Sequence, residues 1–267
     1  MRFGFDPTTK PPAGSEVDWG HPLARGLRRR WLLNEGSGSR VNDVCRSTAG
    51  ALVNTPGWSR GGLQFTTALS QYVLGGNQGD VQQLFSTEDW TIFGKIIWRS
   101  ANGGLICKYP PAYLMTYDYK SLACIIYNGA VSIVGLQQSA TDLPLENDPT
   151  EFAWTVQRQG VSTFYIRGQA SGTPVDISSH AAEIWPIDAN IVLGARDETA
   201  GYNTVDMQHA GIYNRALTPH EVAWLHAEPY SMIQAPGARF WSFASRLTRG
   251  PAFVGDIAGM TGGFDNA

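Results

Sequence analysis

Turn signals recur about every eight to fifteen residues between Leu27 and Tyr213, which leaves room for short strands but not for the helices of βαβ units. The clearest strand is Asp89–Trp98. Trp90, Ile92, Gly94, Ile96 and Trp98 fall on one face, and Thr91, Phe93, Lys95 and Ile97 on the other, the period-two pattern of a half-buried strand. Phe152–Arg158 and Val161–Arg167 flank Gln159-Gly160, and Asn128-Gly129 separates Leu122–Tyr127 from Ala130–Leu136. Both spacings predict hairpins. Leu27, Trp31 and Leu33 alternate and are expected on one face of a first strand. A single helix is signalled by Thr218-Pro219-His220-Glu221, where Thr caps, Pro opens the first turn and Glu reaches back to the cap. The pattern predicts an all-β sandwich or barrel with one short helix near residues 218–227.

Composition agrees with one large β-rich domain. The chain has 267 residues, 43% hydrophobic and 16% charged, against about 25% charged in average globular chains. Disorder would need low hydrophobicity and high net charge; the net charge here is −3. The one basic run, Arg28-Arg29-Arg30, lies between Leu27 and Trp31 and reads as a strand or interface segment. No basic footprint for nucleic acid is expected. Cys45, Cys107 and Cys124 are an odd, sparse set without metal spacing, so they read as small buried hydrophobes. No apolar run approaches the roughly 18 residues that a membrane helix needs. The start lacks a basic-then-apolar leader pattern, so the expected site of synthesis is a cytoplasm.

Three segments are expected. Met1–Gly26 reads as an extended arm, with Pro7, Pro11, Pro12 and Pro22 denying ladder donors and Phe3, Phe5 and Trp19 as docking rings. Residues 27–230 carry the strands. Ser231–Ala267 has no strand or helix period but holds Phe240, Trp241, Phe243, Phe253 and Phe264, rings that need a surface to cover them.

Gly211-Ile212-Tyr213-Asn214-Arg215-Ala216-Leu217-Thr218-Pro219 resembles the closing signature of the concanavalin A-like, laminin-G-like superfamily. Trp31-Leu32-Leu33-Asn34-Glu35-Gly36, Leu63-Gln64-Phe65 with Tyr72-Val73, Trp90-Thr91-Ile92-Phe93, Tyr165-Ile166-Arg167-Gly168 and Ile191-Val192-Leu193-Gly194 resemble its earlier strands, in the family's order. The resemblance covers roughly residues 27–230 and implies a jelly roll of two antiparallel sheets. It implies no single function, since this fold hosts many. His21-Pro22-Leu23-Ala24-Arg25-Gly26-Leu27 after a Pro-rich start is similar to laminin-G-like proteins among tailed-phage structural genes.

Several constellations invite chemistry. Glu146, Asp148 and Glu151 match the E-x-D-x-x-E spelling of related glucanases, but Pro149 interrupts it and the segment reads as a loop before the strand at Phe152. His220-Glu221 lacks a His four residues on, where Trp224 stands, so no zinc helix is expected. The loop Ala195–Asp206 offers Asp197, Asn203 and Asp206, with Glu198, as oxygen ligands for calcium; the competing reading is an ordinary polar turn. No other cofactor is expected. Trp58, Trp98, Trp185 and Tyr202 are candidate sugar-stacking rings. His21, His180 and His209 read as structural.

The expected function is that of a non-enzymatic phage virion component, a capsid decoration or head/tail accessory protein. Its arms would bind a second copy or a major capsid protein, and no membrane partner is expected. The alternative is a carbohydrate-binding, lectin-like module, calcium-dependent or not, for a cell-surface glycan, with a glycoside hydrolase behind it.

Overall fold

A computed structural model describes residues 6–46, 48–59, 61–76, 85–100, 102–109, 112–117, 121–127, 132–138, 148–184 and 188–236. In chain order the strands are β1 Glu16–Val17, β2 Leu27–Trp31, β3 Arg40–Asp43, β4 Thr48–Val53, β5 Gly57–Ser59, β6 Gly62–Phe65, β7 Tyr72–Gly76, β8 Trp90–Ser100 and β9 Gly103–Lys108. They continue with β10 Ala112–Tyr117, β11 Ser121–Tyr127, β12 Ser132–Gln138, β13 Thr150–Val156, β14 Val161–Ile166, β15 Gln169–Asp176, β16 Ile191–Leu193, β17 Thr204–Tyr213 and β18 Ile233–Gln234. The α-helix, α1, is Pro219–Ala227.

Pairing runs in the order β12-β11-β10-β9-β16-β7-β4-β3-β2-β17-β8-β13-β14-β15, and every recorded register is antiparallel. Only the pair Trp31↔Asp43 joins β2 to β3. The order folds over at that corner into two layers. One is β3-β4-β7-β16-β9-β10-β11-β12. The other is β15-β14-β13-β8-β17, whose far edge carries β2 along the end of β17 and β6, with β5, along its start. This is the all-β sandwich that the turn spacing predicts.

The core between the layers comes from strand alternation. Trp90, Ile92 and Ile96 of β8, with Phe152, Trp154 and Val156 of β13, are buried against Val73, Ile106, Leu114, Ile191 and Leu193. The opposite face of β8 and β13 carries Phe93 and Ala153. Trp90 meets Trp154 edge-on at 4.5 Å and 88°, a favoured aromatic geometry.

The first strand departs from the simple alternation. A register shift lies where Ile212 pairs with Arg29 and Tyr213 with Leu27. The extra residue turns Leu27 to the outer face with Phe93 and Tyr213, while Trp31 and Leu33 stay in the core. A bulge of this kind reverses facing, and nothing in the Leu/Trp pattern announces it. Thr150 and Glu151 also depart from expectation: they belong to β13, where Glu151 pairs with Lys95, and are not loop residues.

The outer face of the β17 layer is covered. Val222 and Leu225 of α1 pack there with Val17, Leu23, Ala24, Tyr230, Met232 and Ile233. β1 pairs with β18, and the Tyr230 N–H donates to the Pro7 carbonyl at 3.0 Å. The described part of the N-terminal arm therefore docks on its own sandwich. Ser231–Gln234, which composition groups with the C-terminal segment, run along the same face. Trp19 stays 54% exposed. Phe3, Phe5, Phe240, Trp241, Phe243, Phe253 and Phe264 lie outside the described residues.

α1 starts as its sequence predicts. The Thr218 hydroxyl accepts from the Glu221 N–H at 3.3 Å, and the Glu221 carboxylate accepts from the Thr218 N–H at 2.9 Å. The Arg215 guanidinium also donates to Glu221 at 2.8 Å and holds its carboxyl down at about 2. Thr218→Ala is expected to cost about 1 kcal/mol in a urea melt at pH 7. Because the folded value lies below the ordinary one, the Glu221 contribution is complete above pH 4.5 and fades as pH falls toward 2.

Candidate functional site

The described surface has an open concavity of about 240 Å³ where the N-terminal segment crosses the β5–β6 hairpin. Lys10, Pro11, Leu33, Asn34, Gly36, Trp58, Ser59, Gly61 and Gly62 line it. The sequence builds it from backbone bends. Gly36 and Gly61 have φ of +72° and +127°, values open to glycine and costly for most residues. Trp58 sits on β5, an edge strand of three residues that pairs with β6 alone among the described strands.

Trp58 is half-buried: part of its ring packs on the core, and its indole N–H donates to the Gly38 carbonyl at 3.3 Å. The ring is thereby fixed before any ligand arrives. Polar groups surround it. The Asn34 amide donates to the Pro11 carbonyl at 2.6 Å, and the Ser59 hydroxyl donates to the Gly62 carbonyl at 3.3 Å; each oxygen keeps acceptor capacity.

Lys10 forms one wall and closes the site at its base. Its ammonium donates to the carbonyls of Leu33, Gly61 and Gln208 at 2.8, 2.6 and 2.7 Å. One side chain thus ties the N-terminal segment to Leu33 beyond β2, the hairpin turn and β17. Burial pushes Lys10 down to about 7, aided by Arg30 and opposed by Glu35. An apolar ring, fixed polar groups and concavity are the elements of a small-ligand site, here of a size for a single ring.

The other candidate rings lie elsewhere. Trp98 is half-buried against the core. Tyr202 stacks on Tyr72 at 6.2 Å and 29°, with its hydroxyl donating to the Glu198 carbonyl at 3.3 Å. That pair belongs to a small cluster with Val192 and Ala195, on the outer face of the other layer. Trp185 and Glu146 lie outside the described residues. Among the described residues, neither Trp98 nor Tyr202 joins Trp58 in lining the concavity.

The three proposed calcium ligands are turned to separate tasks. Asp197 accepts from the Thr199 and Ala200 N–H groups at 2.8 Å, and from the Arg196 guanidinium, an Asx-type turn. Buried Asn203 donates to the Gly103 carbonyl at 2.9 Å. Asp206 takes the Arg99 guanidinium at 3.2 Å. Among the described residues no group of three or more His, Cys, Asp or Glu side chains is placed to hold a metal ion.

A second polar cluster, unseen in the sequence, lies under α1. Arg30 is fully buried; it contacts the His209 imidazole and the Pro229 carbonyl at 2.9 Å and faces the rings of Phe93 and Tyr230. Beside it Glu151 pairs with Lys95 at 3.1 Å and with His226 of α1. The only hints were Arg30 beside a Trp and the Lys95/Glu151 positions in paired strands, and neither signals burial. Among the described residues no helix is long and apolar enough to cross a membrane.

No protein-family model matches this chain, and no curated protein sequence does. Solved structures share its fold. A Trypanosoma rangeli sialidase, in complex with 2,3-difluoro-KDN, superposes with a TM-score of 0.58 at 16% identity, over 83% of this chain and 36% of that one. A Trypanosoma rangeli sialidase mutant displaying trans-sialidase activity gives 0.57 at 15% identity, over 82% and 36%. The binding domain of botulinum neurotoxin DC, in complex with SialylT, gives 0.54 at 11% identity, over 77% and 52%. The chain therefore spans about a third of the length of the sialidases it matches.

The fold is thus an antiparallel β-sandwich that these solved structures share. One expectation is corrected: the chain was expected not to be an enzyme, yet sialidases, which are enzymes, carry the same sandwich. At 15–16% identity the likeness bears on fold alone, and the fold gives no ground for setting an activity aside.

Proposed function

We propose that the chain is a carbohydrate-binding β-sandwich module whose sugar site is the Trp58 concavity. The carrying observation is a pre-fixed Trp ring, anchored on the core and through its indole N–H, set among polar side chains in a concavity of single-ring size. Stacking on such a ring needs no reordering on binding, which lowers the entropic cost. The neighbours support the reading, since one was solved with SialylT and another with sialic acid.

A glycan array probed with and without calcium tests it. The intact chain is expected to bind at least one saccharide class, and Trp58→Ala to weaken that binding at least tenfold, about 1.4 kcal/mol, at a temperature where its far-UV spectrum matches that of the intact chain. A blank array under both conditions would overturn the reading.

A second reading, compatible with the first, is a role in a phage virion, where aromatic terminal segments seat the module on a second copy or on a capsid protein. It is supported by the similarity at His21–Leu27 and by the rings of Phe240, Trp241, Phe243, Phe253 and Phe264. Removing residues 237–267, beyond β18, is expected to abolish incorporation into particles. Truncated chains that incorporate normally would sink this role and leave the glycan reading standing.

A further inference from the structure

The cluster beneath α1 leaves a charge problem. Arg30 is fully buried. Among the described residues its guanidinium meets an imidazole, a carbonyl and two ring faces, and no carboxylate. A guanidinium stays protonated in proteins and only donates. The 2.9 Å contact from Arg30 Nη1 to His209 Nδ1 therefore fixes the tautomer: Nδ1 accepts, and the ring proton sits on Nε2. His209 is 1% exposed, and among the described residues its Nε2 has no hydrogen-bond partner. Burial and the cationic neighbours Arg30, Lys10 and Lys95 keep this ring neutral.

His209 lines a cavity of about 20 Å³ together with Glu151, Gly94, Phe152, Gly168 and His226. A water needs roughly 10–15 Å³ and two to four polar partners. Gly168 forms part of its wall, where a Cβ would stand 3.1 Å from His226. Glu151 spends one lone pair on Lys95 and one on His226, and a carboxylate has about four such positions.

We propose that this cavity holds one ordered water, which accepts the His209 Nε2 proton and donates to the Glu151 carboxylate, so that Glu151, already paired with Lys95, is linked to buried Arg30 through His209. The chain Arg30–His209–water–Glu151 then continues to Lys95 on β8 and His226 on α1. It links β2, β17, β13 and the helix in one polar unit and supplies the acceptor that the buried Nε2–H lacks. No bond is made or broken, and each proton stays on its donor.

The test uses the full chain. A crystal structure at a resolution that shows waters is expected to place one within hydrogen-bond distance of both His209 Nε2 and a Glu151 oxygen. Nitrogen-15 NMR of the His209 ring is expected to show a protonated Nε2, with a cross-peak from that proton to long-lived water. Glu151→Leu, which removes the acceptor, should lose the cross-peak. An empty cavity, a proton on Nδ1, or a cross-peak that survives in Glu151→Leu would overturn the assignment. If Glu151→Leu fails to fold, the wild-type crystal structure and ring tautomer decide the matter.

Discussion

Trp154→Ala is expected to lower the unfolding free energy by about 3–5 kcal/mol, the range for deleting a large buried ring. Trp154 has no exposed surface. Its ring lies edge-on to Trp90 at 4.5 Å and stacks on Phe164 at 5.9 Å and 30°. Phe85 extends the same packing to Trp90 at 4.7 Å. The Trp154 indole N–H donates to the Ser162 hydroxyl at 2.8 Å, so the truncation also strips a partner from a buried hydroxyl. β13 lies between β8 and β14, and this position lets little of the void collapse. Denaturant melts of wild type and variant, with equal m-values, measure the loss. A change below 1 kcal/mol would mean that β13 is not the centre of the core.

The second large effect is acid destabilisation through His209. Burial, joined by the charges of Arg30, Lys10 and Lys95, depresses this imidazole well below 6.5. As pH falls through 6.5 the unfolded chain therefore takes up a proton that the folded chain refuses. Stability is complete above pH 6.5 and declines as pH falls below it, with a slope of at most about 1.4 kcal/mol per pH unit, the limit for one proton. In His209→Asn the side-chain oxygen takes over the acceptor role of Nδ1 without titrating. Its stability should be lower at pH 7 and its slope below pH 6.5 flatter. Parallel slopes would show that His209 titrates alike in both states and that its contact with Arg30 does not form.

What was legible in the sequence, and what was not, follows from the range of the interactions. β8, the β13–β14 hairpin and the capped start of α1 are set by neighbours in sequence: alternation, Gln159-Gly160 and Thr218 with Glu221. The Arg167-Gly168 turn, with φ of +51° and +77°, falls at the end of the stretch read by its resemblance to the family. The bulge opposite Tyr213 was not, because it arises from the register with β17, about 185 residues away along the chain. Nor was the burial of Arg30, which depends on His209 and Pro229 arriving from other elements. Lys10 lay in a segment read only as Pro-rich; its three acceptors come from three distant stretches.

The candidate site was half legible for the same reason. Trp58 is conspicuous as a Trp on a short strand beside glycines, but its neighbours Lys10, Asn34 and Ser59 are brought together only by the fold. Trp98 and Tyr202 carry the same side-chain chemistry, and nothing local separates them from Trp58. Trp98 packs on the core as Trp58 does but lines no part of the concavity, and Tyr202 stacks on Tyr72 across the outer face of a different layer. Glu151 read as a loop carboxylate because Pro149 precedes it. Its pairing with Lys95 across β8 makes it part of the strand and an anchor for the helix through His226.

The nine Trp residues also supply the most direct test of the central claim, because each indole N–H gives its own NMR signal. The full chain, labelled on indole nitrogen and assigned by single Trp→Phe variants, is titrated with the saccharide class that the array selects. The Trp58 signal is expected to move with saturation, while those of buried Trp90 and Trp154 stay fixed. Saturable binding that leaves the Trp58 signal unmoved and shifts another indole would contradict the account.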